Sequence, residues 1–153
     1  MKAVVQRVSG ASVKTEGMEK GRIGFGLLVC LGVAVEDTAA EADWLAEKII
    51  HLRIFDDADG KMNLSLADIV SQNAQQSGIG ILVVSQFTLM GDARKGRRPS
   101  WAKAAPPEKA KDLYLYFIEK IRTAGFACEC GEFQAVMKVT SVNEGPVTIL
   151  LDS

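Results

Sequence analysis

Two short runs in the chain carry side chains that could do chemistry without a cofactor. Ser85-Gln86-Phe87-Thr88 emerges from the apolar run Ile81-Leu82-Val83-Val84, and Asn143-Glu144-Gly145-Pro146-Val147-Thr148 contains a glycine–proline turn. Both are rich in hydroxyl, amide and backbone groups that hold a polar substrate by hydrogen bonds, a chemistry of positioning instead of strong bases. Taken alone, each also reads as something plainer, a polar strand end and a tight turn.

The commoner reactive arrangements fail residue by residue. His51 is the single histidine, so a histidine metal cluster is impossible and any protease-like dyad would have to use this one ring. Its place at the end of an amphipathic segment suits a packing or helix C-terminal role better. Gly91-Asp92-Ala93-Arg94-Lys95-Gly96-Arg97-Arg98 has Walker-like glycine spacing, but Arg97 and Arg98 stand where Lys and Ser/Thr are required. Gly24-Phe25-Gly26 lacks the third glycine of a dinucleotide fingerprint and leads into a strand. Asp56, Asp57, Asp59 and Gly60 suggest a calcium loop, yet with Gly60 at the sixth position Phe55 and Leu66 fall where ligands are needed, so the run reads as a turn. Cys30, Cys128 and Cys130 leave one thiol over in any pairing, and a single residue between the last two is poor zinc spacing. They read as reduced, with Cys128 and Cys130 packing on one strand face. Neither a cofactor nor a metal is expected.

The elements that must position the two runs follow from periodicity. With 153 residues, 48% of them hydrophobic and 24% charged, and a net charge of -1, the chain reads as one domain over 1–153 with a sizeable core. Segments 2–8 and 12–15 read as short strands parted by Ser9-Gly10, and 23–35 as a long apolar strand. Thr38-Ala39-Ala40-Glu41 has capping-box spacing, after which Trp44, Leu45, Ile49 and Leu52 recur with helical period, predicting a helix over about 39–52. Ser71 to Gly80 is polar and reads as an exposed loop, and Ile79 to Leu89 as a buried strand. A second helix starts at Ala105-Pro106-Pro107-Glu108, repeats Leu113, Phe117 and Ile121, and ends at Gly125. Three strands near 126–131, 136–142 and 147–151 complete an α+β fold with a mostly antiparallel sheet and two main helices. Phe25 to Val35 is too short and too glycine-broken for a membrane span, and Arg7 interrupts any signal-peptide run, so a cytoplasmic protein without membrane contact is expected.

SQFTLMGD at 85–92 and VNEGPVT at 142–148 together resemble the two signatures of the D-aminoacyl-tRNA deacylase family. The opening MKAVVQRVSGASV, AEKIIHLRIFDDADGKMNLSL at 46–66, RKGRRPSW at 94–101 followed by AAPPE, and the ending GPVTILLDS are similar to it in the same order. The resemblance implies a barrel-like core and a homodimer in which Gly145-Pro146 of one subunit, joined by a cis peptide bond, enters the pocket of the other as a chiral gate supported by Arg7. It places Ser85, Gln86, Phe87 and Thr88 around the aminoacyl ester and makes Phe133, Gln134 and Met137 candidates for the pocket lining. An L side chain would meet the gate and a D side chain would point away, so rejection by collision gives both stereochemistry and breadth. Glycine cannot be excluded that way, which adds glycyl-tRNA to the expected substrates of this proofreading in translation. Gln134 stands where the family commonly carries a small residue, and Glu144 where Asp is more familiar.

An aminoacyl ester is already activated and has a neighbouring 2'-hydroxyl, so positioning plus one or two oxyanion donors can suffice, with Ser85 and the amides near Phe87 as contacts. The rival mechanism makes Thr88 a nucleophile, although the sequence offers it no obvious base. Arg94, Lys95, Arg97 and Arg98 form the densest basic cluster and suit the phosphates at a tRNA acceptor end; no DNA partner is expected. Trp101 is read first as a packing residue and second as a stacking platform for the terminal base. Two alternatives stay open: a related deacylase acting on L-alanyl esters, and a dimeric nucleic-acid-binding module without catalysis.

Overall fold

The computed structural model describes residues 1–73 and 77–153. Its framework is a mixed sheet built around one long strand, β1 (Lys2–Thr15). Along one edge β1 pairs antiparallel first with β3 (Gly26–Gly32) and then with β2 (Met18–Ile23); along the other it pairs with β8 (Met137–Asp152). The sheet continues from β3 through β6 (Gly80–Ser85) to β7 (Cys128–Cys130), and these two pairings are parallel. Strand β2 folds back toward β7: a Cβ at Gly21 would stand 3.0 Å from the carbonyl oxygen of Cys130. The glycine permits this backbone approach, which nearly closes the sheet into a barrel.

Helix α1 (Ala39–Ile50) begins with the expected capping box, in which the Thr38 hydroxyl accepts from the Ala40 amide and the Glu41 carboxylate accepts from Thr38. Its buried stripe is Ala42, Leu45, Ala46, Ile49 and Ile50, so the expected face is rotated and Trp44 lies outside it. A hairpin of β4 (Phe55–Asp56) and β5 (Met62–Leu64) follows, its turn closed by Asp57 Oδ1 accepting from the amides of Asp59 and Lys61. Helix α2 (Leu66–Gln72) then runs two residues into the 71–80 segment read as loop, of which 74–76 lie outside the described residues. Helix α3 (Pro107–Thr123) buries Tyr114, Phe117, Ile118 and Ile121, a stripe turned by about one residue from the expected Leu113-Phe117-Ile121 row. No described helix is long and apolar enough to cross a membrane.

Alternation along the central strands explains their continuous apolar runs. Leu27, Val29, Ile81 and Val83 face α1 and α3 in the larger core, whereas Leu28, Leu82 and Val84 join Val8, Ala11 and Val13 in a second cluster on the opposite face. Strands covered on both faces have no polar side to alternate with. Each fully buried aliphatic side chain contributes about 1.5–3 kcal/mol. The α+β class and barrel-like core stand as expected, with a larger parallel share and a third helix.

Several boundaries differ from expectation. Ser9-Gly10 does not end β1: Ser9 is an irregularity in the pairing with β8, whose register shifts between Val8 and Gly10 and resumes from Gly10 to Thr15. The expected strand over 23–35 is shorter, and β2 precedes it. The strands expected at 136–142 and 147–151 are one strand, β8, interrupted by a bulge instead of a hairpin. The expected strand over 79–89 ends at Ser85 and becomes a 3-10 turn at Phe87–Met90.

Candidate active site

The end of β6 is where regular pairing stops and polar side chains appear. The Gln86 amide donates to the Leu31 carbonyl at 2.7 Å, holding the strand end against β3, after which the backbone winds into the Phe87–Met90 turn. Phe87 is 58% exposed, and its ring meets Trp101 edge-on at a centroid distance of 5.3 Å. Trp101 therefore packs on the site itself. The Gln86 side-chain amide donates to the Thr88 hydroxyl, which fixes one relative to the other.

Ser85, Gln86 and Phe87 line a cavity of about 540 Å³. Phe133, Gln134, Ala135 and Met137 line it as well, and Ala105, Ala110 and Tyr114 come from the approach to α3 and the helix itself. Thr88 is not among its lining residues. Tyr114 is buried, with its hydroxyl donating to Val83 O at 2.9 Å and placed 3.3 Å from Gly131 O; burial pushes its pKa upward. It anchors the cavity floor to β6 instead of offering a free acid. Sequence reasoning missed Tyr114 because it counted the helix stripe from Leu113; a shift by one residue would have found it.

The second run lies elsewhere on the subunit. Gln6 pairs with Thr148 and Val8 with Asn143, so residues 144–147 of β8 bulge out opposite the single residue Arg7. Asn143 closes the neck of this bulge, its side-chain amide donating to Thr148 Oγ1 at 3.1 Å and its oxygen accepting from the Val147 amide at 3.3 Å. The Gly145–Pro146 bond is cis, and both residues are exposed. Arg7 is buried beneath them: Nε donates to Glu144 O at 3.3 Å, and Nη1 donates to Ile54 O at 2.8 Å and lies 3.2 Å from Asp56 Oδ1. Gly145 has φ +116, and a Cβ there would stand 2.9 Å from Arg7 Nη2. The bulge is thus clamped to its own subunit, yet neither Arg7, Gly145 nor Pro146 lines that subunit's cavity.

The basic loop joins the 3-10 turn to the cavity wall at Ala104 and Ala105. Arg94 is tied back to Asp92, Nε to Oδ1 at 2.9 Å, and this guanidinium holds the Asp92 carboxyl well below its ordinary range. Lys95, Arg97 and Arg98 are exposed and, among the described residues, have no carboxylate at ion-pair distance. The freely presented part of the predicted cluster is therefore three cations. His51 caps the C-terminus of α1, exposed, with Nε2 3.2 Å from Glu47 Oε1. Cys128 is a free buried thiol pushed up to about 12 by desolvation, which leaves it a packing group. Among the described residues no group of three or more His, Cys, Asp or Glu side chains gathers as a metal site.

A family model described as D-Tyr-tRNA(Tyr) deacylase matches residues 4–152. The D-aminoacyl-tRNA deacylase of Koribacter versatilis (strain Ellin345) is 58% identical over 153 residues, covering 100% of this chain and 97% of the relative. That of Thermosipho melanesiensis (strain DSM 12029 / CIP 104789 / BI429) is 56% identical, again over 100% and 97%. A solved structure named c-Myc DNA Unwinding Element Binding Protein superposes with a TM-score of 0.88 at 41% identity, covering 100% of this chain and 99% of the other. A structure of a probable eukaryotic D-amino acid tRNA deacylase shares the fold, with a TM-score of 0.81 at 18% identity over 99% and 98%. With a match across nearly its whole length, the chain belongs to the D-Tyr-tRNA(Tyr) deacylase family.

Proposed function

We propose that this protein, a D-aminoacyl-tRNA deacylase by family, hydrolyses D-aminoacyl and glycyl esters of tRNA to free amino acid and tRNA while sparing L-aminoacyl esters, a chirality proofreading step in translation. The observation that carries the reading is the cavity at the end of β6, where Ser85, Gln86 and Phe87 face an apolar wall formed by Phe133 and Met137. Its volume of about 540 Å³ suits an aminoacyl-nucleoside end. Ser85 and the amides around Phe87 hold the ester and its developing oxyanion, the tRNA 2'-hydroxyl assists attack of water, and Thr88 fixes the Gln86 side chain.

The active form is a homodimer whose gate crosses between subunits. Supporting this, among the described residues β8 pairs only with β1, along one edge, and exposes Val142 at 59% and Leu150 at 77%. A long edge strand bearing apolar side chains suits pairing with a second copy. Gly145 and Pro146, clamped by Arg7 but absent from the lining of their own cavity, are then the groups that enter the partner's cavity. Lys95, Arg97 and Arg98 receive acceptor-stem phosphates. The protein works in the cytoplasm, where its substrate is, and residues 1–153 act as one domain.

Release of amino acid from D-Tyr-tRNA, L-Tyr-tRNA and Gly-tRNA by the purified protein tests the reading. Hydrolysis of the D and glycyl esters with the L ester spared is the expected result; equal cleavage of D and L esters removes the gate. A second reading, nucleic-acid binding without catalysis, is favoured by the name of the 41% identical structural relative. It predicts tight nucleic-acid binding with no amino acid released.

A further inference from the structure

Among the described residues two non-glycine residues have left-handed backbone, Glu16 and Gln134. Glu16 is accounted for by its position with Gly17 in the turn between β1 and β2. Gln134, at φ 64, occupies the third position of a turn in which the Ala135 amide donates to Glu132 O at 3.3 Å. Glycine or asparagine is the ordinary residue at such a position. A side chain kept there against backbone preference points to a role for the side chain itself.

Gln134 also lines the cavity. Of the polar side chains around that cavity, Tyr114 directs its hydroxyl to Val83 O and Gln86 gives its amide to Thr88. The half-buried Ser85 hydroxyl and the exposed Gln134 carboxamide both line the cavity and, among the described residues, form no side-chain hydrogen bond. Ser85 sits at the β6 end, where the ester is placed; Gln134 belongs to the other wall, beside Phe133 and Met137, whose apolar surfaces suit a planar base. A carboxamide offers one acceptor and one donor side by side. That pattern complements the amino group and adjacent ring nitrogen of adenine, the base that ends tRNA.

We infer that Gln134 is a specificity residue of this chain, reading the edge of the 3'-terminal adenine by paired hydrogen bonds. The inference rests on the deacylase reading above. Its test uses D-Tyr esters of tRNA ending in adenosine, inosine or purine riboside, the last two having lost the 6-amino donor. The unmodified protein prefers the adenosine end by roughly 10-fold in kcat/KM, the scale of a modest bidentate base contact. In Gln134→Gly the preference falls to near unity through KM, while the thermal midpoint is unchanged or higher because glycine suits the turn. Gln134→Asn, which tolerates the backbone and keeps a carboxamide, retains part of it. The inference is overturned if the unmodified protein treats the three ends alike, if Gln134→Gly keeps the full preference, or if that variant loses kcat equally on all ends with a lower midpoint. Hydrolysis without base preference removes this inference alone, whereas no hydrolysis of any D ester removes the deacylase reading and this inference with it.

Discussion

Thr88 has a hydroxyl that accepts the Gln86 amide and is absent from the cavity lining, with the molecule's one histidine at the far end of α1. A nucleophile needs an adjacent base, and the hydrogen-bond partner of this hydroxyl is the Gln86 carboxamide, which is not one. Thr88→Ala should therefore keep single-turnover deacylation of D-Tyr-tRNA within about 10-fold, because loss of a true nucleophile costs on the order of 10⁶. A loss on that larger scale would restore the acyl-enzyme mechanism. Arg7 tests the clamp: its fork holds Glu144 O, Ile54 O and Asp56 together, which an ammonium on a flexible stem cannot do. Arg7→Lys should lower stability by about 1–3 kcal/mol and reduce the ratio of D to L hydrolysis at least 10-fold, measured by urea unfolding and paired deacylation assays; an unchanged ratio would detach Arg7 from stereochemistry. At this scale residue types alone offered only a polar strand end and a tight turn, and the family resemblance singled out both runs; Ser85, Gln86 and Phe87 line the cavity, whereas Thr88 does not. The sequence was silent on partners brought from afar, which is why the hold of Tyr114 on Val83 O and of Arg7 on Ile54 O emerged only from the fold.

Capping chemistry made α1 legible, since Thr38 and Glu41 satisfy each other's backbone amides over a spacing that can be read directly. Thr38→Ala should cost about 1 kcal/mol, seen as a lower urea midpoint with an unchanged slope and unchanged deacylation, because the exposed Thr38 side chain bonds only within its own cap and does not line the cavity. Loss of activity at full folding would show that α1 positions the site after all. The same signal was present for α2, where Ser65 and Asp68 form a second box, but seven residues are too few for a helical period to emerge from a polar context. Strand topology was less legible. Ile81-Leu82-Val83-Val84 reads as a buried strand from composition, yet its parallel pairing with β3 and β7 depends on the crossovers around it. The continuity of β8 past Gly145-Pro146 was hidden because turn residues also serve bulges, and only the register against β1 tells the two apart.

The whole molecule divides its machinery between two places: a cavity at the end of β6, and a clamped bulge on β8 that does not reach it. If both belong to one reaction, a second copy must bring them together, and subunit mixing can decide the matter. Ser85→Ala weakens the cavity, and Gly145→Val disturbs the gate, since even a Cβ at that position would stand 2.8 Å from Val147 Cγ2 and 2.9 Å from Arg7 Nη2. Each variant alone should release D-tyrosine at least 10-fold more slowly than the unmodified protein, the scale of losing a positioning or oxyanion contact. After unfolding and refolding an equal mixture, about half of the dimers pair one variant with the other, and in each of these one site combines an intact Ser85 with an intact Gly145 from its partner. Activity toward D-Tyr-tRNA should then rise to roughly a quarter of the unmodified level, following from random pairing of two-fold symmetric dimers. A gate that served its own subunit would give the opposite result, because every site in the mixture would contain either the Ala or the Val, and mixing would restore nothing.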